Sequence, residues 1–168
     1  MKLHVGGTHA HADWRVLNIQ PGPHVDFVGD FRDLSQFDDA SLEAVYASHV
    51  LEHVPLAEVD AVLKGVRRVL APGGAFYVSV PDLEVLCRLF VHSNATRGIK
   101  RHVMGMMFGG QVDRHDFHYV GFDEALLRSC LVAAGFLEVR RVESFGLFTD
   151  TSDYRPYGVA ISLNLLAR

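Results

Sequence analysis

Cysteine is scarce in this sequence, and long apolar runs are missing. The two cysteines, Cys87 and Cys130, are far apart and form no Cys-x-x-Cys pair. We expect two buried, unpaired thiols in a reducing cytoplasm, which argues against a disulfide-stapled secreted domain. No stretch of about 18 apolar residues occurs, so no membrane-spanning helix is expected. The opening segment, MKLHVGG, is broken by glycine too early for a signal peptide, and a cytoplasmic location is predicted.

Basic clusters, linkers and internal repeats are absent too. The net charge is −4 with no long basic run, which argues against a nucleic-acid backbone as the ligand. A chain of 168 residues with 49% hydrophobic composition suits one domain with a sizeable core. We therefore expect residues 1–168 to form a single domain whose partner is a small molecule. The oligomeric state stays open.

The clearest positive signal is a strand–helix–strand pattern between residues 42 and 82. Leu42–Ser48 is an apolar run of strand length. The helical stripe that follows Pro55 consists of Val59, Val62, Leu63, Val66 and Leu70. Pro72-Gly73-Gly74 should end this helix, because proline cannot continue it and glycine accepts positive φ, and Ala75–Val80 is then a second strand. This order predicts a right-handed βαβ unit and hence a parallel sheet.

Two phrases in this segment resemble a known family. SHVLEHV and RRVLAPGGAFYVSVPD are similar to segments around the fourth and fifth strands of class I S-adenosylmethionine (SAM) dependent methyltransferases. The resemblance implies a Rossmann-like α/β fold, with a mixed, mostly parallel sheet and helices on both faces, and SAM as the cofactor. Six residues separate Gly7 from Trp14, where that fold normally has a full helix, so we expect a shortened first crossover.

The resemblance also implies which residues would contact the cofactor. In the family, a glycine turn after the first strand lets the backbone approach the cofactor, the next strand ends at a ribose ligand, and a later aspartate holds adenine. The matching positions here are Gly6, Gly7, Asn18, Asp30 and Phe31, followed by Ser48 and His49. These positions also end four predicted strands, and ligands of open α/β sheets bind outside the carboxyl ends of strands. The four predicted strands are Lys2–Val5, Arg15–Ile19, Val25–Val28 and Leu42–Ser48.

Residues 92–116 are the least regular part of the sequence, and we expect a segment of about residues 92–120 to form a lid and substrate insertion beside the cofactor. His115 and His118 are the candidate catalytic residues in this segment, because a histidine with its ordinary pKa of about 6.5 can act as a general base on a substrate hydroxyl. The alternative, a hydrogen-bonded lid that transfers no proton, stays open.

The chain on either side of this segment reads more regularly. Pro81-Asp82 should open a helix to about Val91, and Phe122–Ala134 is a second helix that Asp123 can cap. Gly135 suits the left-handed position after that helix. Leu137–Phe145 and Gly158–Leu166 read as strands, and the resemblance makes them an antiparallel hairpin with the last strand beside the fifth.

The segment from His49 to His53 also reads as His-x-x-Glu-His, a zinc-protease signature. That site needs both histidines on one long helix, whereas here a strand leads directly into His49, so we reject it. Glu52 and His53 also match a ligand pair found in some metal-dependent methyltransferases, those of ubiquinone synthesis and of small-RNA 3′ ends. We assign no metal ligand from the sequence, and the metal-dependent alternative stays open.

These observations favour a SAM-dependent methyltransferase that acts on a small-molecule or saccharide-type acceptor. The saccharide class comes from the phrase FGGQVDRHDFHYVGF, which resembles a subset of predicted small methyltransferases of sugar metabolism. The alternative is a degenerate methyltransferase fold that binds a ligand or a protein and catalyses nothing. It is suggested by His4 and Thr8, which replace an acidic residue and a glycine of the family's turn, and by Asn18.

Overall fold

The computed structural model describes residues 1–168 and contains one seven-stranded sheet. The strands are β1 (Lys2–Val5), β2 (Trp14–Asn18), β3 (Phe27–Val28), β4 (Leu42–Ser48), β5 (Leu70–Pro81), β6 (Val139–Val142) and β7 (Ser162–Ala167). They lie in the order β3–β2–β1–β4–β5–β7–β6, and β7 is antiparallel to both neighbours while the other pairs are parallel. The predicted fold class is confirmed, including the position of the last strand beside the fifth.

Four helices accompany the sheet. They are α1 (Leu56–Val69), α2 (Leu83–Val91), α3 (Arg97–Phe108) and α4 (Glu124–Ala133), and none of them is long and apolar enough to cross a bilayer. No helix lies between β1 and β2, between β2 and β3, or between β3 and β4. The shortened first crossover is thus confirmed. The links from β2 to β3 and from β3 to β4 also lack a helix, which the sequence analysis did not predict.

The strand β5 begins earlier than the sequence predicted and contains the proline–glycine turn. The helix α1 ends at Val69, and Leu70 already pairs with Leu42 of β4. The register then shifts between Leu42 and Ala44, because the turn adds residues to β5 that have no partner in β4. Gly73 has φ +77°, the left-handed conformation that glycine adopts without strain. The turn therefore forms a bulge within the strand and does not separate the helix from it.

The helix α4 has the predicted signals at both ends. Asp123 caps its start by accepting a backbone hydrogen bond of 2.7 Å. At its other end Gly135 has φ +100°. The Gly135 N–H donates to the Val132 carbonyl at 3.0 Å, and the Phe136 N–H donates to the Leu131 carbonyl at 3.2 Å, which is the Schellman pattern. Local sequence alone was sufficient to predict this element.

The irregularity predicted for residues 92–116 is wrong for about half of that range, because it contains α3. Thr96 caps this helix by accepting a hydrogen bond of 3.3 Å from the Ile99 N–H. The helices α2 and α3 pack on each other around Leu86, Val103 and Ile161. Two glycines within α3 weaken the helical signal in the sequence, and packing against α2 outweighs that weakness.

The two faces of the sheet are covered differently. One face, which includes Leu3 and Val5 of β1, forms the main core with buried residues of α1 and α4. The opposite face of β1 and β4 is covered by a set of rings that we call the aromatic cluster. Its members are His4, Trp14, Tyr46, Phe145 and Phe148. The cluster packs against the first parallel strands, whose links contain no helix.

Both cysteines are free. The prediction that both are buried is wrong for Cys87, which is exposed on α2, and Cys130 is half-buried on α4. The apolar stripe of α2 faces α3 and leaves position 87 on the other side, which explains the exposure.

Candidate functional site

A cleft of about 1240 Å³ opens at the carboxyl ends of β1, β2 and β4, beside the segment that follows β3. This volume exceeds the roughly 300–1,000 Å³ of common ligand pockets, which leaves room for a nucleotide-like cofactor and a second small molecule. Lining residues from the strand ends include Gly6, Asn18, Asp30, Phe31, Arg32, Ser48 and His49. The four strand ends identified in the sequence thus converge on one cavity.

Gly6 occupies a position at the cleft that suits glycine alone. Its φ is +76°, and a Cβ atom there would lie 2.7 Å from Cγ2 of Val50. Its N–H donates to the Leu17 carbonyl at 2.8 Å, which fixes the turn against β2. The backbone therefore borders the cavity without a side chain. Gly7 does not line the cleft, and a Cβ atom on it would meet the ring of His4 at 2.8 Å.

Asn18 lines the cleft at the end of β2 and also braces the glycine turn. Its Nδ2 donates to the Gly7 carbonyl at 3.0 Å, and its Oδ1 accepts from the Gln20 N–H at 3.0 Å. An amide has two N–H donors and an oxygen with two lone pairs, so each group keeps capacity for one more partner. Asn18 can therefore hold the turn and still bind a hydroxyl group.

Asp30 lies in the cleft but is already paired with Arg32. The carboxylate accepts from the Arg32 backbone N–H at 2.9 Å and from its guanidinium at 2.6 Å. The guanidinium hydrogen bonds hold the pKa of Asp30 below its ordinary value, although burial opposes them. Arg32 also reaches Glu58 at 3.3 Å. The sequence analysis missed Arg32, while Phe31 lines the cleft and packs into the main core at 6% exposure.

His49 follows β4 in a strained conformation. Its φ is +53°, a region that a residue with a Cβ atom occupies at a penalty of about 1–3 kcal/mol. Its N–H donates to the Ser79 carbonyl at 2.9 Å, and its Nε2 lies 2.9 Å from Oγ of Ser162. The preceding residue, Ser48, lines the cleft with a buried hydroxyl that has no hydrogen-bond partner. Strain and an unpaired hydroxyl at one strand end are features of a functional site.

The loop that follows α3 closes one side of the cleft. Asp113, Arg114, His115 and Tyr119 line the cavity. The Arg114 Nε donates to His115 Nε2 at 2.9 Å, and His115 lies near Asp30. The Tyr119 N–H donates to the backbone carbonyl of Glu52 at 2.8 Å, which fastens the loop to the turn after β4.

Four side chains form a compact group at the floor of the cleft, which we call the histidine–carboxylate cluster. Its members are His49, Glu52, His53 and His118. Glu52 is 1% exposed, and its Oε1 lies 3.3 Å from His49 Nδ1 and 4.0 Å from His118 Nε2. The rings of His53 and His118 meet edge to face with centroids 4.7 Å apart. Neither carboxylate oxygen has a hydrogen-bond partner.

The structure does not bring the two candidate catalytic histidines together in the cavity. His115 lines the cleft near Asp30, whereas His118 lies beneath the floor and does not line it. Burial lowers the pKa of His118, although Glu52 opposes the shift, and this favours the neutral ring. His53 lines the cleft directly above His118 in contact with its ring, and the sequence analysis did not assign His53 to catalysis.

Comparison with known proteins agrees with this geometry. A family model described as a methyltransferase domain matches residues 9–78, which is less than half of the 168-residue chain. A search of curated proteins found no match. The matched range begins just after the glycine turn and runs into β5, so it includes the carboxyl ends of β2, β3 and β4.

Solved structures extend the likeness to almost the whole chain. A SAM-dependent methyltransferase from Archaeoglobus fulgidus has a TM-score of 0.62 at 13% identity, covering 99% of this chain and 84% of that one. This chain has the class I methyltransferase fold. A second structure with this fold, the 1,6-didemethyltoxoflavin-N1-methyltransferase of Burkholderia thailandensis with bound S-adenosylhomocysteine, has a TM-score of 0.60 at 18% identity and covers 99% and 70% of the two chains. The CurJ carbon methyltransferase gives 0.60 at 15% identity, covering 99% of this chain, which spans 47% of that protein's length.

The resemblance to class I methyltransferases, which rested on the phrases SHVLEHV and RRVLAPGGAFYVSVPD, is therefore confirmed. The partial match to a methyltransferase-domain model and the neighbouring structures agree with the predicted fold, and the toxoflavin enzyme holds S-adenosylhomocysteine. Small-molecule methyltransferases are among the structures that share the fold, as the toxoflavin enzyme shows.

Proposed function

We propose that this chain binds SAM in the cleft and transfers its methyl group to a small, hydroxyl-bearing acceptor of the saccharide type. The observation that carries the proposal is the meeting of four strand ends, at Gly6, Asn18, Asp30 and Ser48, on one cavity large enough for two ligands. No observation favours the non-catalytic alternative. We also propose that residues 1–168 form a single domain.

The residues at the nucleotide end of the cleft suit SAM. Gly6 lines the cleft, and a Cβ atom there would collide with Val50, so the backbone is bare at this point and a ligand can approach it. The spare lone pair of Asn18 Oδ1 can accept a hydrogen bond from a ribose hydroxyl. Asp30 can accept one from the adenine amino group while it stays bound to Arg32, and the Phe31 backbone N–H lies next to it along the chain. Gly7 acts indirectly, through its hydrogen bond with Asn18.

The acceptor would lie between the end of β4 and the loop after α3. His49, His53 and Tyr119 line this part of the cavity. When SAM is bound it supplies a methyl group on a good leaving group, so catalysis depends mainly on the alignment of the acceptor. We propose that residues 92–120 act as a lid on the acceptor side, with His115 closing the cleft. His118 would act indirectly by holding the ring of His53, whose Nε2 lone pair would accept the proton of an acceptor hydroxyl.

Thermal unfolding with added nucleotides tests the cofactor. SAM or S-adenosylhomocysteine at about 100 times its dissociation constant should add about 2.7 kcal/mol, which is a rise of roughly 5–10 °C in a domain of this size. ATP and NAD are the controls and should give no comparable rise. If SAM and S-adenosylhomocysteine leave the unfolding temperature unchanged in well-folded protein, the proposed cofactor site is wrong.

Methyl transfer needs a second assay. The chain is incubated with radiolabelled SAM and a panel of saccharides, phenols and carboxylic acids, and labelled products are separated. Label in a saccharide hydroxyl supports the full proposal, and label in another class corrects the acceptor. Binding of SAM with no transfer to any class would favour the non-catalytic alternative.

A further inference from the structure

We propose that His49, Glu52, His53 and His118 form a binding site for a divalent first-row transition-metal ion at the floor of the cleft. The four side chains offer three imidazoles and one carboxylate within a small volume. The donor atoms of Glu52, His53 and His118 all lie within 4.8 Å of one another. The metal site stands on these residues and does not depend on the binding of SAM.

The buried carboxylate is the first argument. Glu52 is 1% exposed, and both of its oxygens lack a hydrogen-bond partner. An ionised carboxylate removed from water without a partner is strongly unfavourable, and buried charges in proteins are paired or bind metals. No lysine or arginine forms an ion pair with Glu52, and its charged neighbours are histidines. A cation next to this carboxylate would supply the missing partner.

The hydrogen bonds of His49 give the second argument. Ser162 Oγ donates its one hydrogen to the Thr151 carbonyl at 2.8 Å, so it must accept from His49 Nε2–H at 2.9 Å. A neutral His49 then carries its lone pair on Nδ1, and Nδ1 lies 3.3 Å from Oε1 of Glu52. Two acceptors at this distance repel each other unless a proton or a metal ion lies between them. A metal ion bound by both atoms removes that repulsion.

The other two histidines are oriented in the same manner. His53 Nδ1 lies 3.1 Å from the Phe117 carbonyl, which can only accept, so the lone pair of His53 is on its other nitrogen. The backbone of Met106 lies beside the His118 ring, whose Nε2 is 4.0 Å from Glu52. Metal-bound histidines commonly donate their second ring N–H to an oxygen in this way. The outer hydrogen bonds thus hold the rings with their free nitrogens available as ligands.

The distances suit a single ion. Two donors that are each about 2.1 Å from one ion lie roughly 3–4 Å apart. The separations of 3.3 and 4.0 Å from Glu52 fall within that range. Glu52, His53 and His118, whose donor atoms lie within 4.8 Å of one another, form the centre of the site, and His49 joins it through its contact with Glu52. Three imidazoles and one carboxylate favour Zn²⁺, Co²⁺, Fe²⁺ or Mn²⁺ over Mg²⁺ and Ca²⁺, which prefer oxygen ligands.

The position of the cluster indicates what such an ion would do. His49 and His53 line the cleft, so an ion could enter from it and keep coordination positions directed toward it. An acceptor with two neighbouring oxygens, such as adjacent sugar hydroxyls, would complete the coordination shell. The metal ion, instead of His53, would then act on the acceptor hydroxyl by polarising it. This role rests on the proposed methyl transfer, whereas the metal site itself does not.

Titration of the chelator-treated full chain with Co²⁺, in the absence of SAM, tests the site. We expect one Co²⁺ per chain, visible absorption bands from nitrogen coordination, and a rise in the unfolding temperature of roughly 5 °C or more at about 100 times the dissociation constant. Zn²⁺ should compete for the same site, and Mg²⁺ should not. If neither Co²⁺ nor Zn²⁺ binds to folded protein, the proposal is wrong, and an intact response to SAM would leave the proposed function standing.

Three variants and a control assign the ligands. Glu52→Gln and His118→Asn should each weaken Co²⁺ binding by about 100-fold, and Ser162→Ala, which removes the hydrogen-bond partner of His49, by about 10-fold. His115→Gln changes a histidine of the same cleft outside the cluster and should leave Co²⁺ affinity unchanged. Circular dichroism verifies folding first, and His118→Asn serves if Glu52→Gln does not fold. Equal Co²⁺ affinity in native protein and both ligand variants would contradict the site.

Discussion

His4 should make the stability of this protein sensitive to mild acid. Its ring lies in the aromatic cluster, with centroids 5.0 Å from Tyr46 and 4.2 Å from Phe148, and its Nδ1 is buried without a hydrogen-bond partner. Burial lowers the pKa of His4 from 6.5 to about 4, although Asp150 opposes the shift. The folded protein therefore keeps His4 neutral at pH values where the unfolded chain is already protonated.

The sign and size of the effect follow from this shift. Between pH 6.5 and about 4 the unfolded state binds more protons at His4 than the folded state, so the free energy of unfolding falls as the pH falls. Above pH 6.5 the residue contributes no pH dependence. At about 1.36 kcal/mol per pKa unit the complete shift corresponds to about 3 kcal/mol, of which about 2 kcal/mol is lost by about pH 5.

The substitution His4→Phe isolates this contribution. Phenylalanine keeps a ring against Tyr46 and Phe148 but has no proton to bind. We expect the variant to gain about 2 kcal/mol relative to the native protein between about pH 7.5 and about pH 5, which corresponds to a difference of roughly 4–8 °C in unfolding temperature. Urea unfolding at the two pH values measures it directly, and His24→Gln, at an exposed histidine, is the matched control.

The result that would refute this reasoning is an identical pH dependence in the native protein and in His4→Phe. It would mean that His4 is protonated in the folded state, held by Asp150, in spite of its burial. An equal change in His24→Gln would instead assign the effect to the unfolded chain or to the overall charge.

Three further predictions concern the cofactor and two glycines. Asp30→Ala should weaken SAM binding by about 1–3 kcal/mol, measured by calorimetry, because a half-buried hydrogen-bond acceptor is lost, and an unchanged affinity would place adenine elsewhere. Gly135→Ala should lower the free energy of unfolding by about 1 kcal/mol, since its φ is +100°. Gly65 lies inside α1, and no atom lies within 4 Å of a new Cβ there, so Gly65→Ala should raise the free energy of unfolding by about 0.5–1 kcal/mol. If the unfolding temperatures of Gly135→Ala and Gly65→Ala shifted in the same direction, this account would be contradicted.

The elements that sequence could predict are those whose determinants are local. The stripe of α1, the cap at Asp123 and the Schellman turn at Gly135 each depend on residues within one or two helical turns, and all three occur as expected. The parallel order of the strands followed from the βαβ rule and from the family resemblance. Within α3, by contrast, the glycines weaken the local signal, and the helix depends on packing against α2 that sequence does not display.

The candidate site was predictable only in part, for the same reason. Gly6, Asn18, Asp30 and Ser48 line the cleft because the ends of parallel strands share one edge of the sheet. The histidine–carboxylate cluster depends instead on contacts between distant segments, such as the hydrogen bond between His53 and a carbonyl 64 positions away. The placement of such a loop over a strand end follows from tertiary packing and not from any spacing in the sequence.

The absence of crossover helices and the position of the aromatic cluster have a common explanation. The first parallel strands have no helices in their links, so the face that bears His4 and Tyr46 must be covered by another part of the chain. The segment between β6 and β7 covers it. Phe148 packs on His4, and Asp150 accepts a hydrogen bond of 2.7 Å from the Tyr46 hydroxyl. Because His4 lies directly beneath Gly7, this segment supports the glycine turn from below. The packing of the C-terminal hairpin and the shape of the cofactor end of the cleft are therefore coupled in this protein.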